Sequence, residues 1–400
     1  MATTDDRRKF LKQSGAALGG FLINPAAGLL GLMAAGAATS QKEFSKERGD
    51  KTADSWRSIL RTGAPINSVG HAFGGRLSSL HSFQMPEALQ KNETGGRYVV
   101  VATHASPPIG ISTFEVAKTK RGWDHVVAGR SNRIFSIQSP VALDGARLKS
   151  GPLFRHQTLV AGVGRISCAS ATPWNTVLCA ESASSEGQDF GWVVEINPLN
   201  GVVVKRFSLG RTEPLGLLTV AESARRYVVY MLGGPSVEQI YLYKFVSHQR
   251  FDAMRFDVNS QLLVIGELSV ARIDSAPEKN HEWISLTAGL SNDDWLRVMQ
   301  SPAEAAAQVG SSVAGAHALV RDAGALVLVC DTEIIRLTEK GGAWESTSFS
   351  VELEAGSPEK FSSARLKPRS FVLRAEDSSG GALVLGVEHE GDAAIISVSV

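Results

Sequence analysis

The sequence lacks the residue patterns on which several large function classes depend. It has three cysteines in 400 residues, Cys168, Cys179 and Cys330. An odd, low count is no disulfide framework: one bridge at most can form, and buried small thiols are the ordinary use of such residues. Charge of one sign is missing too, since 41 Lys and Arg against 40 Asp and Glu leave a formal net charge of +1. No dense Lys/Arg run follows the N-terminal region, so the basic surface that nucleic-acid binding requires is absent. Heptads, low-complexity tracts, a crisp internal repeat and a Gly-rich phosphate loop are all missing. There is no Gly-x-Ser-x-Gly elbow, which argues against Ser167 or Ser170 acting as a nucleophile with His104 as base. Beyond residue 40 no segment is apolar enough to cross a membrane.

The N-terminus carries a specific local signal. Asp5 to Lys12 reads DDRRKFLK, and the stretch from Ser14 to Ser40 contains no charge. Arg7 and Arg8, followed by Phe-Leu-Lys and a Gly/Ala-rich apolar segment, resemble a twin-arginine export signal. Asp6 stands where that signal usually has Ser or Thr. Ala35-Gly36-Ala37 fits a small-residue cleavage site, so the expected signal peptide covers 1–37 and the mature chain begins near Thr39. The twin-arginine translocase is then the partner during export, and the destination is periplasmic or extracellular. The alternative is an uncleaved membrane tether, since the uncharged run is about long enough to span a bilayer. Its Gly, Asn and Pro content makes it a poor permanent span. Twin-arginine systems carry folded proteins, so a metal site assembled in the cytoplasm is compatible with this leader. Residues 38–60 read as a linker, charged and polar from Gln41 to Asp54.

What remains, 61–400, is patterned for strands. Short runs rich in Val, Ile, Tyr and Phe recur, among them YVVVAT at Tyr98, GWVVEI at Gly191, YVVYML at Tyr227, ALVLVC at Ala325 and AAIISVSV at Ala393. Gly, Asn, Asp and Pro punctuate them, and Asn197-Pro198-Leu199-Asn200-Gly201 reads as a hairpin turn. Many short strands with regular turns indicate a sandwich, barrel or propeller. The length exceeds one simple sandwich, and a propeller absorbs it in one domain. The exception is Asn292 to Val313, where good helix formers follow Ser301-Pro302-Ala303-Glu304, a cap pattern with Pro in the first turn. It reads as a short helical insertion on an all-β fold.

The stretch ATPWNTVLCAES, 171–182, followed by GWVVEINPLNG, 191–201, resembles the signature segment of PhoX-type alkaline phosphatases. Further segments agree in order: Gly110 to Arg133, Leu209-Gly210-Arg211, Ile240 to Ser247 and the strand beginning at Gly266. The likeness covers roughly 98–275. It implies a six-bladed β-propeller with ferric iron and calcium at the mouth of a central channel, hydrolysing phosphate monoesters. Iron takes thiolate and carboxylate ligands, calcium takes hard oxygens, and both polarise phosphoryl oxygens.

The resemblance carries over only in part. Cys168 falls at the family's iron-binding cysteine, Glu181 at the first glutamate ending the same segment, and His104 at the histidine of an Asn-His-Glu run. Those three are the expected metal ligands, and Arg211 is the expected phosphate-binding residue. The departures concern the other ligands. Ala180 takes the second cysteine's place, leaving Cys179 out of register, and Ser182 replaces the second glutamate. Pro214 and Leu215 stand where a His-Glu pair belongs, and LGGPS at Leu232 replaces a Gly-Asp-Asp turn. Asp293, Asp294, Glu388 and Glu390 are candidate replacement carboxylates, while Trp174 and Trp192 read as packing. The expectation is an exported PhoX-like propeller that has diverged into a binding or interaction module, no catalytic residue being assigned. The alternative is a metal-dependent phosphomonoesterase with a rearranged iron/calcium centre, and a different enzyme on the same scaffold stands third. The phosphate ester or protein partner is left open.

Overall fold

The computed structural model describes residues 56–75, 77–86, 96–119, 122–145, 159–182, 187, 189–222, 226–252, 261–273, 281–322, 324–330, 334–340, 348–354, 370–375, 382–389 and 392–399. These lie in one compact unit, Lys51–Val400. Arg7, Arg8, the proposed leader and Glu390 lie outside the described residues.

Strand β1 (Trp56–Arg61) pairs antiparallel with the last strand of the chain, Trp56 opposite Val398. Residues 56–60, assigned to the linker above, are therefore part of a sheet. The second sheet contains β2 (Leu77–Gln84), β3 (Arg97–His104), β4 (Gly110–Thr119), β5 (Gly122–His125) and β6 (Arg133–Phe135), all antiparallel, with β6 beside β4. The period of two sends alternate residues of β3 into different cores. Val100 and Ala102 join Phe73, Phe114 and Trp123, whereas Val101 joins Ile111, Ile166 and Trp192. A strand buried on both faces reads as the unbroken apolar run seen at Tyr98.

The third sheet has β7 (Val141–Asp144), β8 (Leu159–Val160), β9 (Ile166–Ala171), β10 (Val177–Glu181), β11 (Val193–Ile196) and β12 (Val203–Arg206), in the order β8-β7-β12-β11-β10-β9. The expected hairpin turn joins β11 to β12. The Asn197 carboxamide oxygen accepts from the backbone N–H of Leu199 at 3.1 Å, and Gly201 takes φ +74°, which an L side chain rarely adopts.

The fourth sheet is nine-stranded: β13 (Pro214–Glu222), β14 (Arg226–Ser236), β15 (Gln239–Ser247), β16 (Gly266–Arg272), β17 (His281–Ser285), β18 (Ala316–Asp322), β19 (Ala325–Cys330), β20 (Ile334–Glu339) and β21 (Ser348–Glu354). It is two meanders, β13–β17 and β18–β21, joined where His281 and Glu282 face Phe349 and Ser348. The last strands, β22 (Ser370–Ala375), β23 (Ala382–His389) and β24 (Asp392–Ser399), complete the sheet that β1 joins. Glu388 lies in β23, and its side chain is outside the described atoms.

Edge strands meet in sequence: β22 contacts β2, β2 contacts β9, β9 contacts β13, and β13 contacts β18. The result is an all-β, propeller-like arrangement in which successive sheets meet through their edge strands. The expected six blades are not confirmed. The described residues form four sheets, because the two middle meanders run on as one through β17 and β21.

The helical segment forms α1 (Asn292–Gln300) and α2 (Pro302–Val309) rather than one helix. Ser291 caps α1, its hydroxyl accepting from the Asp294 N–H at 3.2 Å, with Asp293 and Asp294 in the first turn where the helix dipole favours them. Pro302 opens α2 as expected, but Ser301 makes no side-chain cap. It already ends α1, donating its N–H to the Arg297 carbonyl at 3.0 Å, and its position before proline disfavours helical dihedrals. Trp295, Leu296, Met299 and Ala306 join the central apolar cluster, so these helices belong to the core rather than decorate it.

Candidate functional site

The expected ligands sit on elements the sequence places well, yet their polar atoms are already engaged. Cys168 on β9 lies opposite Ala180 on β10, and the register shifts before Glu181. The Glu181 carboxylate, next to that irregularity, is fully buried. One oxygen accepts from the Gly164 N–H at 2.9 Å and the other from the Trp192 N–H at 3.4 Å. The Lys205 ammonium lies 2.9 Å from the first oxygen and donates to the second at 3.0 Å. Lys205 is as buried as its partner, also donates to the Asp189 carbonyl at 2.7 Å, and lies 4.5 Å from the centre of the Phe190 ring. Burial raises the Glu181 pKa, while Lys205 and the backbone donors pull it back. A carboxylate surrounded by an ammonium and two N–H groups has no oxygen left to offer a cation. In the structure Glu181, expected as a metal ligand, is engaged in an internal ion pair with Lys205.

His104 ends β3 with 1 % exposure. Its Nδ1–H donates to the Gly75 carbonyl at 3.2 Å, and its Nε2 accepts from the Ser112 hydroxyl at 2.8 Å. The ring stands edge-on to Phe73 at 5.0 Å, and a Cβ on Gly74 would lie 2.5 Å from it. Burial lowers its pKa to about 4, against a smaller raising effect from the Gly75 carbonyl. Both ring nitrogens are thus engaged within the protein, and burial favours the neutral ring.

Cys168 packs against the apolar core, and burial pushes its thiol up to about 12, with a Ser167 contact working the other way. Only the thiolate is a good metal ligand, and among the described residues no cation lowers the pKa of this thiol. Cys179 lies wholly in the core, and all three cysteines are unbridged. The Arg211 guanidinium donates to the carbonyls of Phe190 at 2.6 Å and Gly187 at 3.2 Å, so it fastens the loop after β10. Glu213 lies beside it, with φ +50° and a pKa raised by burial and opposed by Arg211. Among the described residues no group of three His, Cys, Asp or Glu side chains is placed to hold a metal ion. The donor set thus does not fit an iron/calcium cluster.

The other candidates follow the same pattern. Asp294 accepts from the Ser291 hydroxyl at 2.7 Å and pairs with Arg297 at 3.3 Å, both on α1. Ser167 donates to the carbonyls of Ala180, at 3.1 Å, and Pro214, while Ser170 bonds Thr219 at 3.1 Å. Neither is bonded to His104. Trp174 donates to Glu195 at 2.8 Å and meets Tyr227 edge-on at 4.6 Å; Trp192 stacks on Phe207 at 5.0 Å. Both tryptophans pack, as expected. Lys205 and Arg206 escaped the sequence reading. The available signal was two adjacent cations ending the otherwise apolar strand VVKR, opposite a strand carrying Glu195. In the structure Arg206 pairs with Glu195 at 2.6 Å and Asp144 at 2.9 Å.

Fold and site together define a propeller-like protein whose signature strands are held by internal charge pairs. The alkaline phosphatase PhoX family model matches residues 98–329, more than half of the chain. The chain belongs to the PhoX alkaline phosphatase family. Pseudomonas fluorescens PhoX, solved in complex with vanadate, a transition-state analogue, superposes with a TM-score of 0.65 at 17% identity, covering 86% of this chain and 94% of that one. At that identity the likeness concerns the fold. A Thermus thermophilus protein described as a putative oxidoreductase (glucose dehydrogenase) covers 86% of this chain and 99% of its own at 12% identity, but its TM-score of 0.31 supports no argument. No curated protein sequence matches the chain.

Proposed function

We propose that this PhoX-family protein is an exported, propeller-like binding module that has lost its family's phosphatase chemistry. The observation that carries this is the Glu181 carboxylate, saturated by Lys205 and two backbone donors inside the sheet. The neutral His104 and the protonated Cys168 thiol agree with it. Fold retained does not imply activity retained. The test is metal analysis of protein exported in its native host, followed by hydrolysis of p-nitrophenyl phosphate with iron and calcium supplied. Metal-free, inactive protein is the expected result. Stoichiometric metal together with turnover would establish the alternative, a phosphomonoesterase with a rearranged iron/calcium centre, which the family match over 98–329 supports.

Export by the twin-arginine route belongs to the same proposal. It rests on Arg7-Arg8 and the uncharged segment after them. Among the described residues no helix is long and apolar enough to cross a membrane. Replacing both arginines by lysine should leave the protein in the cytoplasm, and unchanged export would reject the route. Six blades also remain part of the proposal, and an experimental structure resolving every blade would decide the count.

A further inference from the structure

A cleft of about 490 Å³ opens between β6, β7 and the β11–β12 turn. It contains none of the four expected site residues, and its reading stands independently of the proposed function. Ile134, Phe135, Val141 and Val203 give it apolar walls, Val202 at the turn is 54% exposed, and Arg133 lies within it. Among the described residues no Asp or Glu lines it.

Arg133 differs from three arginines elsewhere in the fold, each of which has a partner for its guanidinium. Arg97 has Glu115, Arg206 has Glu195 and Asp144, and Arg211 has two carbonyls. The Arg133 guanidinium has no hydrogen-bond or ion-pair partner among the described residues, and its buried Nη1 is unsatisfied. Gly201, at φ +74°, lies directly against the guanidinium: a Cβ there would stand 1.8 Å from Nη1. Nη1 is covered by the turn, so a ligand in the cleft meets the guanidinium through its other N–H groups, which have no described acceptor; an unpaired donor is costly and rare, and a partner from outside offsets that cost.

We propose that this cleft binds a small monocarboxylate with an apolar body, its carboxylate on the Arg133 guanidinium and its body between β6 and the β11–β12 turn. The guanidinium fork matches a planar carboxylate. The volume is that of an ordinary small-molecule site, whose walls are mostly apolar with few polar groups fixing orientation. A phosphate fits less well, because it needs several donors. Of the other polar residues lining it, Asn67 and His71 already bond each other at 3.0 Å, and the Asn132 amide donates to the Val126 and Val127 carbonyls.

The experiment is calorimetric titration of the full folded chain with benzoate, phenylacetate and hexanoate, and with inorganic phosphate as control. Saturable binding of at least one carboxylate is expected, weakened about tenfold or more in Arg133→Gln. Val202→Asp, at an exposed position that leaves the core untouched, should weaken it similarly by repelling the anion, and keeps the test open if Arg133→Gln fails to fold. No saturable carboxylate binding would overturn the proposal. So would affinity unchanged in the folded variants, or phosphate binding as tightly as the carboxylates.

Discussion

Glu181 and His104 reach burial by opposite routes. Glu181, in the β7–β12 sheet, keeps an ionisable group inside by giving it a counter-ion, Lys205, and two N–H donors. His104, in the β2–β6 sheet, keeps one inside by remaining neutral between a carbonyl and a hydroxyl. Burial disfavours the charged form in both, raising the acid and lowering the base. The difference is that the first site depends on a second ionised residue, whereas the second depends on pH. Family resemblance makes both look like metal ligands, and neither has a donor atom to spare.

The strongest way to break this comparison is to remove the counter-ion. Lys205→Met leaves Glu181 buried without its ammonium, and losing one partner of a buried pair costs about 3–5 kcal/mol. Urea unfolding at neutral pH should show that loss. The pKa of Glu181, already raised, rises further when Lys205 no longer lowers it. A raised folded-state pKa means stability that is present at low pH and lost as pH rises. The deficit of Lys205→Met should therefore shrink as pH falls toward the unfolded glutamate range, and Lys205→Met with Glu181→Leu should recover much of it. A deficit below about 1 kcal/mol would show that the pair is not the anchor described.

The neutral site gives the next largest effect. His104 has a folded pKa of about 4 against an ordinary 6.5. Between those values the unfolded chain holds more protons, so stability is present above 6.5 and falls as pH drops toward 4. The shift corresponds to about 3 kcal/mol. His104→Gln retains a donor and an acceptor but does not titrate. The stability difference between wild type and variant should change by that amount across the window, in unfolding curves taken at each pH. Parallel pH profiles would mean that His104 titrates normally and the neutral route is wrong.

A second lysine–glutamate pair sharpens the contrast. Lys244 on β15 and Glu339 on β20 lie 2.8 Å apart, 2% and 10% exposed, and join the two meanders of the nine-stranded sheet. Glu339 also accepts from the Tyr230 hydroxyl at 2.8 Å and the Trp283 indole at 2.9 Å. Both carboxylates keep two other donors, but Glu339 is partly exposed where Glu181 is wholly buried, so Lys244→Met should cost about 2 kcal/mol, less than Lys205→Met. Equal losses at the two sites would show that the difference in burial does not matter.

These pairs also mark where sequence reasoning stopped. The strands were legible because Val-rich runs at Tyr98, Tyr227 and Ala325 can be buried on both faces only as central strands. The Asn197–Gly201 turn and Pro302 were legible because their backbone chemistry is local. Blade number was not, because the joining of β17 to β21 depends on pairing between residues far apart in the chain. The roles of Glu181 and His104 were not, because type and spacing mark a possible ligand but do not show which neighbour uses its lone pairs. Lys205 lies 24 positions from Glu181 and meets it only once β10, β11 and β12 are in register.

Cys168 offers the smallest effect and the most direct bearing on the family's metal. If the thiol is a packing group, Cys168→Ala removes one partly buried sulfur and should cost about 1 kcal/mol, like an ordinary core truncation. A ligand that binds only the folded state raises its stability in proportion to occupancy. Iron or calcium should therefore leave the thermal midpoint of wild type and variant equally unmoved. With a thiol pKa of about 12, almost none is thiolate near neutral pH, so slow alkylation by iodoacetamide in the native state is expected as well. A midpoint that iron raises in wild type and not in Cys168→Ala would return this cysteine to the metal, and with it the reading of Glu181 and His104 as purely structural would have to be reopened.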